Sequence, residues 1–132
     1  MSAELRRTIQ SEVDVRRVVL ESTRYAQQAG FDEAPSRMIA TAVSELVRNI
    51  LKYAGSGQFR IRRAEGPGVR GVEIEVSDHG PGIADVDAAM RDHFSSSGAL
   101  GLGLPGVKRM MDEFSLESAP GEGTRVTARK WI

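Results

Sequence analysis

The chain has no cysteine among its 132 residues. Disulfides and thiolate metal sites are therefore excluded, which suits a reducing compartment. It has no surplus charge of either sign. Its 18 Lys+Arg balance 18 Asp+Glu, which removes the electrostatic footprint expected of a nucleic-acid or membrane-surface binder. No apolar run is long enough to span a bilayer, and Met1 to Gln10 is charged where an export signal would be apolar. Repeats and low-complexity segments are absent. What is present is an ordinary globular composition, 27% charged and 40% hydrophobic, of a length that fits one domain around one core. The expectation is a cytoplasmic regulator or a small enzyme.

Local patterns give the order of elements. Leu5 to Gln10 alternates loosely and reads as a strand. Ser11 followed by Asp14 resembles a capping box, so a helix starts near Glu12, with Val15, Val18, Val19, Ser22 and Ala26 inward and Gly30 as its stop. A second helix runs from about Ala34 to Tyr53, with Pro35 in its first turn. Gln58 to Ala64 and Val72 to Ser77 alternate as half-buried strands around Glu65-Gly66-Pro67-Gly68. A short helix is expected near Val86 to Arg91, then a Ser/Gly-rich loop from His93 to Gly103 and a helix from Leu104 to Glu113. Phe114 to Ser118 and Arg125 to Trp131 close the chain as a hairpin around Gly121-Glu122-Gly123. The simplest assembly is a two-layer α/β sandwich, a mixed sheet with helices on one face.

Four segments carry chemistry. On the second helix, Ile39, Ala42, Val43, Leu46, Val47 and Ile50 share the core arc, while Thr41, Glu45, Arg48, Asn49 and Lys52 share another. Glu45 and Asn49 are one turn apart and stack on the same side. That side is either a solvated face or a site, and Asn inside a helix, where its amide competes with the backbone, asks for a reason. Asp78-His79-Gly80-Pro81-Gly82-Ile83 ends a strand in a carboxylate and then offers backbone that a flat ligand can approach. A tight turn with a local Asx hydrogen bond would give the same pattern. Gly98-Ala99-Leu100-Gly101-Leu102-Gly103 leads into a helix and presents N–H donors suited to phosphate. It is neither a Walker loop nor a dinucleotide fingerprint. Gly121-Glu122-Gly123-Thr124 on its own is a hairpin turn.

The fixed order of these segments resembles the GHKL ATPases, the group that holds gyrase, histidine kinases and mismatch-repair ATPases. Glu45-x-x-x-Asn49 looks like the N box, Asp78-x-Gly80-x-Gly82 and Gly101-x-Gly103 like the two glycine boxes, and Gly121-x-Gly123-Thr124 like the last motif. Ser44 to Asn49, Lys52 to Gly55, Phe94 to Gly98 and Gly103 to Phe114 narrow the resemblance to the RsbT-like switch kinases of bacterial stressosomes. By that resemblance ATP and Mg²⁺ are the cofactors. Asn49 would hold Mg²⁺ against the phosphates, and Glu45 would be the general base or orient the attacking hydroxyl. Lys52 would contact phosphate, Asp78 would accept from the adenine amine, and Gly80 and Gly82 would shape the adenine pocket. Thr124 would support Asp78, and Ser95 to Gly103, with Gly98, Gly101 and Gly103, would wrap the phosphates.

The same resemblance implies a Ser/Thr kinase of STAS-domain scaffold proteins which, once released, binds and activates a PP2C-type phosphatase. Positioning and charge neutralisation are what phosphoryl transfer needs, and a carboxylate one turn from a metal ligand can take the hydroxyl proton. Three other readings stay open: an anti-sigma factor kinase, a non-catalytic nucleotide-dependent adaptor, and a detached histidine-kinase catalytic domain. His79 and His93 are read as ordinary surface residues.

Overall fold

Ser11 caps the start of the first helix, and Asp14 reaches back past it to Gln10. Its Oγ accepts from the Asp14 N–H at 3.4 Å, and the Asp14 carboxylate accepts from the Gln10 N–H at 2.9 Å. Helix α1 then covers Glu12–Ala29. It ends where Gly30 takes a φ of 111°, with Gly30 N–H on Gln27 O and Phe31 N–H on Ala26 O, both at 3.1 Å. This is the paired C-terminal cap that satisfies two otherwise orphaned carbonyls. Helix α2 covers Glu33–Tyr53 and buries the expected arc of Ile39, Ala42, Val43, Leu46, Val47 and Ile50. This computed structural model describes residues 4–83, 90 and 103–132.

The strands are β1 (Leu5–Ile9), β2 (Gly57–Gly66), β3 (Val69–Asp78), β4 (Glu113–Ser118) and β5 (Thr124–Trp131), with helix α3 (Gly103–Met110) before β4. They form one sheet in the order β1-β2-β3-β5-β4. Ile9, Phe59, Ile61, Val72, Ile74, Val76, Val126 and Ala128 are buried in one core with the inward residues of α1 and α2. Each of the Val, Ile and Phe side chains contributes about 1.5–3 kcal/mol through removal from water. The other face of the sheet carries charge, Arg60 and Arg62 beside Glu73 and Glu75.

The expected two-layer sandwich is therefore what forms, with one correction. The sheet is antiparallel at every pairing rather than mixed. Two successive helices between β1 and β2 reverse the chain three times, so β2 returns antiparallel to β1. A single crossover helix would have made the pair parallel. The third helix is also shorter than its sequence pattern implies. Met111 N–H still bonds Val107 O, but Asp112 N–H donates to Arg129 O at 2.9 Å and so joins the sheet. Lys130 Nζ meanwhile donates to Met110 O at 2.7 Å and closes the helix end. The helix expected near Val86 to Arg91 lies outside the described residues. No helix among the described residues is long and apolar enough to cross a membrane.

Candidate functional site

At one end of the sheet the helix-facing side changes character within a single row. Val76 pairs with Val126, which pairs with Leu116; in the next row outward Asp78 pairs with Thr124, which pairs with Ser118. Cross-strand partners project to the same side. An apolar row is thus capped by a polar one, half-buried at the rim. Asp78 Oδ1 accepts from the Gly80 N–H at 2.8 Å. The Asx turn allowed by the sequence does form, and it fixes the carboxylate while its second oxygen takes no bond from another described residue.

Two glycine turns interlock around this row. Gly121 N–H donates to Pro81 O at 2.7 Å, and Ile83 N–H donates to Ser118 Oγ at 2.7 Å. Gly82 and Gly123 have φ of 77° and 78°. A side chain on Gly82 would collide with Ala119 O, and one on Gly123 with Asp78 O. Only glycine serves at these two positions.

The same turn is seated on helix α2. A Cβ added to Gly80 would lie 2.7 Å from the Cβ of Ala54, the residue that ends that helix. Gly57 makes a similar approach: a Cβ there would lie 2.8 Å from Ile50 Cγ2 and 3.2 Å from Asp78 Cβ. No motif singles out Gly57. It is the first residue of β2, just ahead of the strand expected from Gln58, so no sequence signal marks it.

Upstream on α2, Glu45 is half-buried and its Oε1 accepts from the Gly103 N–H at 2.9 Å. Gly103 opens α3, where N–H groups lack intrahelical partners and favour an anion. The carboxylate of Glu45 supplies that anion here. Asn49, one turn on, is half-buried, and its amide bonds no other described residue. Lys52 is exposed, its ammonium 5.0 Å from the Tyr53 ring, with no carboxylate partner among the described residues.

Helix α2, which carries Glu45, Asn49 and Lys52, thus touches both segments: Gly103 bonds Glu45, and Gly80, in the turn after Asp78, rests on Ala54, with Gly82 and Thr124 beside that turn. Gly98, Gly101 and the rest of the expected phosphate loop before Gly103 lie outside the described residues, as does His93; His79 is exposed. The free carboxylate oxygen of Asp78, the amide of Asn49 and the ammonium of Lys52 are the groups here that could meet a polar ligand. Among the described residues no three His, Asp or Glu converge on a metal position. A cation at Asn49 would take the rest of its shell from phosphate and water, which is how Mg²⁺ is ordinarily held beside nucleotides.

The sequence profile of the histidine kinase-like ATPase domain matches residues 10–130. The serine/threonine-protein kinase RsbT of Bacillus subtilis is 52% identical over 107 residues, which span 81% of this chain and 80% of that protein. The anti-sigma F factor of Caldanaerobacter subterraneus subsp. tengcongensis is 37% identical over 98 residues, spanning 71% and 68%. The mycobacterial sensor histidine kinase MprB shares the fold, with a TM-score of 0.57 at 19% identity over 99% of this chain and 97% of that one. With its polar row, interlocked glycine turns and acid–amide pair in these places, the chain belongs to the histidine kinase-like ATPase family.

Proposed function

We propose that the protein is an ATP-dependent serine/threonine protein kinase in a bacterial sigma-factor pathway. Its substrates are STAS-domain regulatory proteins, and in its released form it binds and activates a PP2C-type phosphatase. The observation that carries the catalytic part is the contact between Glu45 and Gly103, which places a carboxylate at the helix start that would receive phosphate, one turn from Asn49. The 52% identity to a protein named as a serine/threonine kinase supports the choice of acceptor.

In this reading Asn49 holds Mg²⁺ and Lys52 adds a positive charge to the phosphates. Asp78 accepts from the adenine amine. The metal ion neutralises phosphate charge, and the protein's own part is to orient the nucleotide and receive a proton at Glu45. When phosphate takes the N–H of Gly103, the Glu45 carboxylate is released toward the acceptor hydroxyl.

The test is incubation of the protein with γ-labelled ATP and a STAS-domain protein, followed by mass spectrometry of the modified residue. Acid-stable phosphate on Ser or Thr is expected; acid-labile phosphohistidine would move the protein among the histidine kinases. Glu45→Ala should lower transfer about 10²–10⁴-fold while ATP still binds. Undiminished transfer would remove Glu45 from the chemistry; absence of transfer by the parent protein beside intact ATP binding would leave a nucleotide-dependent adaptor.

The anti-sigma F factors among its relatives favour one alternative, a kinase that also holds a sigma factor. Capture of a purified sigma factor by the ATP-loaded protein would select it.

A further inference from the structure

Ser118 lies in no motif that the sequence singles out, and the proposed chemistry leaves it unused. Its hydroxyl nevertheless joins three segments of the pocket. It accepts from the Ile83 N–H at 2.7 Å, donates to Gly123 O at 2.9 Å, and lies 2.9 Å from Thr124 Oγ1. A serine hydroxyl has one proton and two lone pairs. The carbonyl of Gly123 can only accept, so the proton of Ser118 goes there. The Ile83 N–H fills one lone pair. The close contact with Thr124 then needs a proton that Ser118 no longer has, so Thr124 supplies its own into the second lone pair. With that proton committed, Thr124 can offer the pocket nothing but lone pairs.

Thr124 is the direct cross-strand partner of Asp78, whose ionised carboxylate also only accepts. Asp78 and Thr124 therefore both present acceptors to the pocket. An exocyclic amine has two protons to give such a pair; a ring carbonyl has none and meets lone pair against lone pair.

We propose that Ser118 is a positioning residue that fixes the hydroxyl of Thr124 as an acceptor and so makes the pocket choose 6-amino over 6-oxo purine nucleotides. This rests on the assignment of the pocket to the adenine ring. Thr124 and Asp78 touch the base or its bound water, and Ser118 acts through them. Without the Ser118 hydroxyl the proton of Thr124 is free to turn toward the ligand, so a 6-oxo base gains a donor while a 6-amino base keeps an acceptor that is no longer held in one orientation.

The experiment measures dissociation constants of ATP and inosine triphosphate on the full chain, for the parent, Ser118→Ala, Ser118→Thr, Thr124→Val, Thr124→Ser and Asp78→Asn. The parent should prefer ATP. Ser118→Ala should shrink that preference about tenfold, the scale of one hydrogen bond whose polarity is wrong, with inosine triphosphate binding tighter than to the parent. Ser118→Thr should restore the parent ratio. Thr124→Val should narrow it, with no further change when Ser118→Ala is added.

A merely structural serine would weaken both nucleotides in proportion. An unchanged ratio in Ser118→Ala, beside loss of ATP binding in Asp78→Asn, overturns the Ser118 assignment alone. Undiminished ATP binding by Asp78→Asn overturns the adenine pocket itself, on which this proposal rests. Should Ser118→Ala not fold, Thr124→Ser against Thr124→Val carries the test, because only the first keeps the hydroxyl and hence the ratio. Equal ratios in these two variants would sink the proposal.

Discussion

On the sheet face turned away from the helices, Glu73 is only 2% exposed, yet its carboxylate is heavily engaged. It accepts from Arg62 Nε at 2.6 Å, Arg129 Nε at 2.9 Å and Arg60 Nη2 at 3.1 Å. At the rim of the opposite face the polar groups are held in place but not used up. One oxygen of Asp78, the amide of Asn49 and the ammonium of Lys52 have no hydrogen-bond or ion-pair partner among the described residues. Both regions cost free energy to desolvate. The outer cluster offsets that cost within itself by covering the acid with arginine stems. The rim is organised by backbone, through Gly80, Gly82 and Gly123, and among the described residues its side-chain capacity stays open. Buried charge alone is therefore a poor guide to a ligand site; hydrogen-bonding groups left open among the described residues on a rigid frame are the better one.

Substitutions on the two faces should separate cleanly. Asn49→Ala has the largest expected effect. It should abolish Mg²⁺-dependent ATP binding and lower phosphotransfer on the order of 10²–10³-fold, the cost of losing one group that stabilises transferring charge. Its thermal midpoint should stay at the parent value, since the amide bonds no other described residue. Nucleotide titration with and without Mg²⁺, beside a melting curve, checks both halves. Parent-like binding would defeat the N-box assignment, and a large fall in midpoint would make Asn49 structural like Glu73.

Lys52→Ala should act in the same direction but less. Its ammonium is exposed, so its attraction to phosphate is screened and amounts to about tenfold in ATP affinity. The gap between parent and variant should close as salt is raised. A gap that ignores salt would assign the loss to packing against Tyr53 rather than to charge.

Much of this was legible in the sequence because local signals agreed with the fold. Ser11 with Asp14 gave one helix start, the apolar arc of α2 appears residue for residue in the core, and the alternation of Val72, Ile74 and Val76 fixed the inward face of β3. The antiparallel sense of the whole sheet was not legible, because it depends on how many times the chain turns between strands. The end of α3 was missed because Met111 to Glu113 has a helical pattern that the bond from Asp112 N–H to Arg129 O overrides. In the site, the motif residues were readable as types at a spacing. Gly57 and Ser118 were not, since each matters through a neighbour far away in the chain, Asp78 for one and Ile83 for the other. The Glu73 cluster escaped for the same reason: alternating Arg and Glu on β2, β3 and β5 reads as an ordinary solvated face until register stacks the arginines over one carboxylate.

That cluster gives the smallest effect on activity and the sharpest test of the contrast. Burial alone would raise the pKa of Glu73, but the hydrogen bonds and charges of Arg62 and Arg129 more than reverse this and hold it below the ordinary value of 4.5. The group thus binds its proton less readily folded than unfolded. Its contribution to stability is complete at neutral pH and fades as pH falls from about 4.5 down through the folded pKa. Glu73→Gln should cost about 1–3 kcal/mol at neutral pH, at the low end of a broken buried pair because the arginines are partly exposed and can relax into water. The difference from the parent should shrink steadily as pH falls below about 4.5 and through the lowered folded pKa, where the parent carboxylate takes up its proton. ATP binding at neutral pH should match the parent below the variant's melting range. Denaturant unfolding of both proteins across that pH range is the measurement. An offset that stays constant in acid would assign the loss to side-chain packing and end the claim that charge is what this face spends within itself.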